Sequence, residues 1–225
     1  MGGVNEPASV DELLERARNV SGLTLRELGE KVCVEVPEDG VRGKGIAGQI
    51  LERVLGATAA SRAEPDFVGL GVELKTIPLD PTGKPKESTF VASIPLASMA
   101  DTDWERSVVF KKLAHVLFVP VEAASSTPLP ERRVGRGYLW QPTAEEIGWV
   151  RRDWERLAEM IARGDIGQIT GHLGEVLQVR PKAATGSARR RAPDEEGAVQ
   201  WATPRGFYLR PSFTGVVLAR LREES

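Results

Sequence analysis

The stretch Pro65-Asp66-Phe67-Val68-Gly69-Leu70-Gly71-Val72-Glu73-Leu74-Lys75 decides how this 225-residue chain is read. The alternation from Val72 to Ile77 predicts a strand, on which Glu73 and Lys75 project together while Val72 and Leu74 point into the core. Asp66 lies seven residues before Glu73, so on one straight strand it would face the other side and sit more than about 20 Å away. Gly69 and Gly71 supply a bend. If the chain folds back there, Asp66 and Glu73 converge on one cation with Lys75 beside them. Phosphodiester hydrolysis needs charge neutralised at phosphorus, an activated water in line and help for the departing oxygen. Hard carboxylate oxygens suit Mg²⁺, which keeps several waters and binds through one or two carboxylates plus substrate phosphate. Lys75 can orient or deprotonate the water, or stabilise developing negative charge, and the sequence leaves these roles open. Glu and Lys alternating on the wet face of a strand is also a commonplace structural pattern.

Working outward, strands are expected at Val72 to Ile77, Thr89 to Leu96 and Val116 to Val121, forming the main sheet, with a Pro-Thr-Gly-Lys-Pro turn after Asp80. Upstream, Ser9 with Glu12 and Thr24 with Glu27 read as capping boxes opening two short helices. A third helix is expected from Ile46 to Leu55, with Glu52 off its apolar face. Downstream, Thr143 with Glu146 caps a long helix whose Ile147, Val150, Trp154, Leu157, Ala158 and Ile161 keep one buried face, ended by Gly164. Val176 to Val179 and Phe207 to Leu209 read as late strands, and Phe213 to Leu221 as a closing helix. Residues 183–198, rich in Ala, Gly and Arg with Arg189, Arg190 and Arg191 in a row, are expected to form a mobile loop. The class is therefore α/β.

With 41% hydrophobic residues the chain can bury one core, or two lobes sharing a cleft. The single cysteine, Cys33, excludes an internal disulfide and reads as a buried small hydrophobe. His115 and His172 stand apart from any second zinc-type ligand, and there is no Gly-rich NTPase loop, so ATP would have to be used by a partner. With neither a signal-peptide pattern nor an apolar run of membrane length, a soluble protein of the reducing cytoplasm is expected. The net charge of −2 argues weakly against a nucleic-acid partner but conceals a gradient. Residues 1–40 carry nine acidic and four basic side chains; residues 180–210 carry seven basic and three acidic. An anionic polymer is expected to dock toward the C-terminal part.

Pro65, Asp66, Glu73 and Lys75 match the nuclease motif of the restriction-endonuclease-like superfamily. The wider text resembles the MutH family of mismatch-repair endonucleases at Lys44-Gly45, Leu55-Gly56-Ala57, Asp66-Phe67, Gly71-Val72-Glu73-Leu74-Lys75-Thr76-Ile77-Pro78, Arg132-Arg133-Val134-Gly135, Val179-Arg180-Pro181-Lys182-Ala183 and Pro204-Arg205-Gly206-Phe207-Tyr208-Leu209. The resemblance runs from near residue 10 to the last helix. It implies one nuclease domain over residues 1–225, with a restriction-endonuclease-like mixed sheet flanked by helices and two lobes around a DNA-binding cleft, the N-terminal lobe catalytic and the C-terminal lobe reading DNA. The implied activity is nicking of the unmethylated strand at hemimethylated or unmethylated GATC sites in double-stranded DNA. It would be carried out by a monomer in the bacterial cytoplasm, activated by MutL and indirectly by MutS. One or two Mg²⁺ ions are implied, with Mn²⁺ or Ca²⁺ able to substitute for binding.

Carried over by position, Asp66 and Glu73 would be metal ligands and Lys75 the catalytic lysine. Glu52 would be a supporting acid, and Lys112 a second active-site base or phosphate contact. Lys44 would touch DNA, while Arg180, Pro181 and Lys182 would enter the groove, where Arg suits bidentate contact with guanine. Tyr208 would sense adenine methylation by rejecting the added bulk. Phe90 is either core or a wedge near the bases, with core the preferred reading. The 183–198 loop diverges from the family, so no contacts are transferred to it. A stand-alone restriction endonuclease and a non-catalytic DNA-binding adaptor are the alternative functions.

Overall fold

Short polar side chains start three of the helices where their spacing with Glu says they should. In the computed structural model, which describes residues 4–38, 43, 45–59, 64–95, 99, 102–182, 190–193, 199–202 and 204–225, the Ser9 side chain accepts from the Glu12 amide to open α1 (Val10–Val20). Complete capping boxes, Thr24 with Glu27 and Thr143 with Glu146, open α2 (Leu25–Lys31) and α5 (Ala144–Ala162). Between them stand α3 (Ile46–Leu55) and α4 (Val108–Leu113), and α6 (Pro211–Glu223) closes the chain. The strands are β1 (Glu73–Leu79), β2 (Thr89–Ser93), β3 (Val116–Glu122), β4 (Tyr138–Trp140), β5 (Leu177–Pro181), β6 (Arg190–Pro193), β7 (Val199–Ala202) and β8 (Arg205–Leu209).

The chain forms two compact units, each assembled from separated segments. The first comprises Met1–Glu87, Ala114–Gln141 and Thr214–Ser225; the second comprises Ser88–Leu113 and Pro142–Phe213. In the first unit β1 and β3 run parallel and β4 pairs antiparallel with β3, giving a mixed sheet in the order β1-β3-β4. Leu74, Leu117, Val119 and Val121 on one face of this sheet join Leu13, Ala17, Leu28, Ile50, Leu51 and Leu55 in a single core. Pro78 falls in β1 at a position whose missing N–H faces away from β3, so it removes no ladder bond.

In the second unit the sheet is antiparallel, in the order β2-β8-β5. This corrects the expectation that the three strands from Val72 to Val121 share one sheet. Alternation identifies a strand but not its partner, and β2 pairs with β8, more than 100 residues later. Its register shifts between Phe90 and Ala92, and the strand ends at Ser93. Two short elements, α4 and β4, escape detection because three to six residues are too few to show a period.

Part of the expected 183–198 loop is instead a strand: β6 pairs antiparallel with β7, Arg190 opposite Ala202 and Pro193 opposite Val199. Composition argued for a loop, but a hairpin needs only two short segments in register, and Val199-Gln200-Trp201 has good strand propensity. Residues 183–189 and 194–198 lie outside the described residues, as do Lys44 and Leu96. Cys33 is exposed, at a backbone φ of 54°, rather than buried. No helix among the described residues is long and apolar enough to cross a membrane.

Candidate active site and DNA-reading face

The bend that folds Asp66 back toward Glu73 is a closed four-residue loop in the first unit. Phe67 and Val72 exchange both backbone hydrogen bonds, at 2.9 and 3.3 Å, across residues 68–71. Gly71 supplies the left-handed turn at φ 65°; Gly69 is not in that region. What Gly69 contributes is its amide, which donates to the Glu6 carboxylate at 2.8 Å. The second oxygen of Glu6 accepts from the Thr58 hydroxyl at 3.0 Å, and the amides of Thr58 and Ala59 both donate to the Asp66 carbonyl. The backbone at Asp66 is thus tied down from two directions.

The strand ladder then places the carboxylate. The Glu73 amide donates to the His115 carbonyl at 2.9 Å, toward β3. Backbone amides alternate sides along a strand, so the Leu74 amide points the other way, off the end of the sheet order. Asp66 Oδ2 accepts that amide at 2.9 Å. A carboxylate that caps the amide between Glu73 and Lys75 is held at their level.

Glu73 and Lys75 share the face opposite the α1–α3 core, as their spacing requires. That face is not the wet one of the commonplace pattern. Glu73 is only 2% exposed and Lys75 12%, with Lys75 Nζ 2.6 Å from Glu73 Oε1. Buried Val116 is the register partner of Glu73, and buried Phe118 that of Lys75. Removing a carboxylate from water costs several kcal/mol unless a partner compensates, and Lys75 is that partner here.

Asp66 and Glu73 offer the hard oxygens that suit Mg²⁺. Among the described residues no group of three or more His, Cys, Asp or Glu side chains is placed to hold a metal together. A two-carboxylate set fits an ion that retains most of its waters and takes further oxygens from phosphate. Glu52 is half-buried on α3, one turn beyond Gly48, whose Cβ position would lie 3.9 Å from Thr76 Oγ1 of β1. It therefore stands on the β1-facing side of its helix without completing a three-carboxylate cluster. Lys112 is half-buried on α4, in the second unit. Burial keeps the His115 imidazole below the usual histidine range, and its Nε2 lies 3.3 Å from the Gln141 side-chain nitrogen.

The second unit brings most of the expected DNA-contacting residues onto one sheet face. Leu177, Val179, Phe207 and Leu209 fill its core, which leaves Gln178 and Arg180 of β5 and Gly206 and Tyr208 of β8 on the other side. Tyr208 is the register partner of both Phe90 and Gln178. Its ring meets that of Phe90 edge-on, with centroids 5.3 Å apart. Lys182 Nζ sits 4.5 Å from the centre of the Phe90 ring and donates to Ser93 Oγ at 2.7 Å. Phe90 is half-buried, so the core reading of this residue is corrected: it belongs to the aromatic and cationic face. Arg180, Pro181 and Lys182 are exposed.

Gly206 is the small residue that makes room for the rings. A Cβ there would lie 2.8 Å from Phe90 Cε2, 3.1 Å from the Ala92 carbonyl and 3.2 Å from Tyr208 Cε2. Gly206→Ala is expected to cost about 1–3 kcal/mol, read by urea denaturation, and to move the Tyr208 ring. An unchanged midpoint would mean that the rings yield freely.

Sequence reasoning missed several residues that organise these groups: Glu6 behind the bend, Ser88 and Gln178 on the sheet face, and Asp153 beneath β5. Each acts through a contact remote in sequence. Only Asp153 left a signal, as a charge among the apolar positions of α5.

A strand end carrying Glu73 and Lys75, with the Asp66 carboxylate seated on its edge, suits phosphodiester hydrolysis, and a cationic, aromatic sheet face suits DNA; together they describe the class of DNA endonucleases. Residues 55–153 match the family model described as "DNA mismatch repair enzyme MutH". Among its relatives, the "DNA mismatch repair protein MutH" of Shewanella baltica is 43% identical over 221 residues, covering 98% of this chain and 99% of that protein. The protein of the same description from Serratia proteamaculans is 48% identical over 214 residues, covering 95% and 94%. The chain belongs to the MutH family of DNA mismatch repair endonucleases.

Proposed function

We propose that this endonuclease nicks the unmethylated strand at GATC sites, that it depends on Mg²⁺, and that MutL, directed by MutS, activates it in the bacterial cytoplasm. The observation that carries the reading is the Asp66 carboxylate seated on the Leu74 amide, beside the buried Glu73–Lys75 pair. Asp66 and Glu73 are the proposed metal ligands; bound Mg²⁺ would supply charge neutralisation at the scissile phosphate and a more acidic water. Lys75, held by Glu73, is positioned to orient the attacking water or to offset charge on a phosphate oxygen. Glu52 and Lys112 are assigned supporting roles as an acid and a phosphate contact, and Lys44 a DNA contact. The first unit is the cutting lobe and the second the reading lobe. A monomer with one such centre cuts one strand.

On the reading face, Arg180 and Lys182 are the groups suited to guanine, with Pro181 between them. Tyr208 is the proposed methylation sensor. Its ring is braced by Phe90 and cannot retreat cheaply from an N6-methyl group. Tyr208→Ala is expected to narrow the preference for hemimethylated over fully methylated duplexes by about tenfold, in line with one lost contact of 1–3 kcal/mol. An unchanged ratio of nicking rates would remove Tyr208 from this role.

The direct test is nicking of a supercoiled plasmid with a single GATC site, unmethylated or fully methylated, in Mg²⁺ or EDTA, with and without MutL. Metal-dependent nicking of the unmethylated plasmid alone, stimulated by MutL, is expected. Cleavage indifferent to MutL would favour a stand-alone restriction enzyme. Tight binding with no nicking under any condition would favour an adaptor.

A further inference from the structure

We infer that Ser88 is a positioning residue for base recognition, setting the Arg180 guanidinium through a hydroxyl it shares with Gln178. The inference rests on the reading of Arg180 as a base contact. Ser88 immediately precedes β2, while Gln178 and Arg180 are two residues apart on β5 and so share a face. Both reach the same atom. Gln178 Nε2 donates to Ser88 Oγ at 2.7 Å and Arg180 Nη1 donates to it at 3.3 Å. A serine hydroxyl accepts two hydrogen bonds, so these donors use its full accepting capacity.

Gln178 is only 5% exposed, which makes its bond to Ser88 difficult to exchange for water. That bond keeps the serine oxygen in place beside Arg180. Gln178 is also opposite Tyr208 in the ladder, and Arg180 is two residues further along the same strand, so the amide, the guanidinium and the proposed methylation sensor share one sheet face. Arg180 itself is exposed, and an exposed arginine samples many rotamers unless one of its five N–H groups is held. Bidentate contact with a guanine edge requires the guanidinium plane to be set, which is what the Ser88 bond does. The guanidinium has five N–H groups, so one bond to Ser88 still leaves donors enough for a bidentate contact.

The experiment compares kcat/KM on duplexes containing GATC with kcat/KM on duplexes carrying one substituted base pair, for the full chain and for Ser88→Ala, Ser88→Thr, Arg180→Ala and the Ser88→Ala/Arg180→Ala double variant. Ser88→Ala is expected to lower kcat/KM on GATC about tenfold with little change on the substituted site, narrowing the ratio between them. Ser88→Thr keeps a hydroxyl and is expected to keep the ratio. The double variant is expected to discriminate no worse than Arg180→Ala, because Ser88 acts through the arginine. A merely structural role would lower both rates alike. If the unsubstituted protein discriminates and Ser88→Ala keeps the full ratio, the role of Ser88 is overturned alone. If the unsubstituted protein cuts all sites equally, the base-recognition reading falls and takes this inference with it.

Discussion

Glu73→Ala is expected to reduce nicking by roughly a thousandfold or more, the scale on which loss of a principal charge-stabilising group acts, while DNA binding measured in EDTA stays near normal. The carboxylate has two tasks in the proposed site, as metal ligand and as partner of Lys75 Nζ at 2.6 Å. Both partners lie in a poorly solvated environment, so deleting one also carries a folding cost, about 3–5 kcal/mol for a broken buried pair. The two effects are separable. Glu73→Gln keeps the shape and a hydrogen-bonding oxygen but removes the charge, and it is expected to lose nicking almost as completely with a smaller drop in melting temperature. A plasmid assay run beside thermal melting and a gel-shift titration distinguishes the outcomes. Nicking retained by a folded Glu73→Gln protein would sink the proposed metal site, because a neutral amide is a poor ligand for Mg²⁺.

The elements legible in the sequence are those decided by neighbours in the chain. Thr24 with Glu27 and Thr143 with Glu146 form the capping boxes that their spacing announces. Glu73 and Lys75 share a face because a strand allows no alternative, and a glycine bend folds Asp66 back, at Gly71 rather than at both glycines. The strand pairing was not legible, because it is a long-range choice: β2 is next to β1 in sequence yet pairs with β8. The same gap explains Phe90. An aromatic residue in an alternating strand is a reasonable core candidate until the register puts it opposite Tyr208 and under Lys182. The depth of Glu73 was not legible, because its burial depends on Val116, Phe118 and the rest of a face the local pattern does not reveal. Ser88 had no signal at all, since its importance lies in donors about 90 residues away.

Asp153→Ala is expected to lower the free energy of unfolding by about 3–5 kcal/mol, comparable to other losses of a buried charged partner. Asp153 projects from α5 at 8% exposure and accepts three successive backbone amides: Glu175 at 3.0 Å, Val176 at 2.7 Å and Leu177 at 2.8 Å. The chain turns into β5 there through Gly174, at φ 83°, where any Cβ would overlap the Leu177 carbonyl. Arg210 holds the same turn by donating to the carbonyls of Gly171 and Gly174, each at 2.9 Å. One carboxylate and one guanidinium therefore fix the first residues of the strand that carries Gln178 and Arg180. Alanine at 153 leaves three amides without their acceptor in a largely buried place. Asparagine retains one oxygen but turns a donor toward an amide, so Asp153→Asn is expected to fall between alanine and the unsubstituted protein. Urea denaturation provides the free energies. Nicking of GATC against a substituted site, measured well below the melting temperature, then asks whether the surviving fold still presents Arg180 correctly. A loss under about 1 kcal/mol for Asp153→Ala would mean that Arg210 and the strand ladder hold the start of β5 without the carboxylate. A large loss with an intact cutting ratio would confine Asp153 to stability and leave the setting of Arg180 to contacts further along the strand.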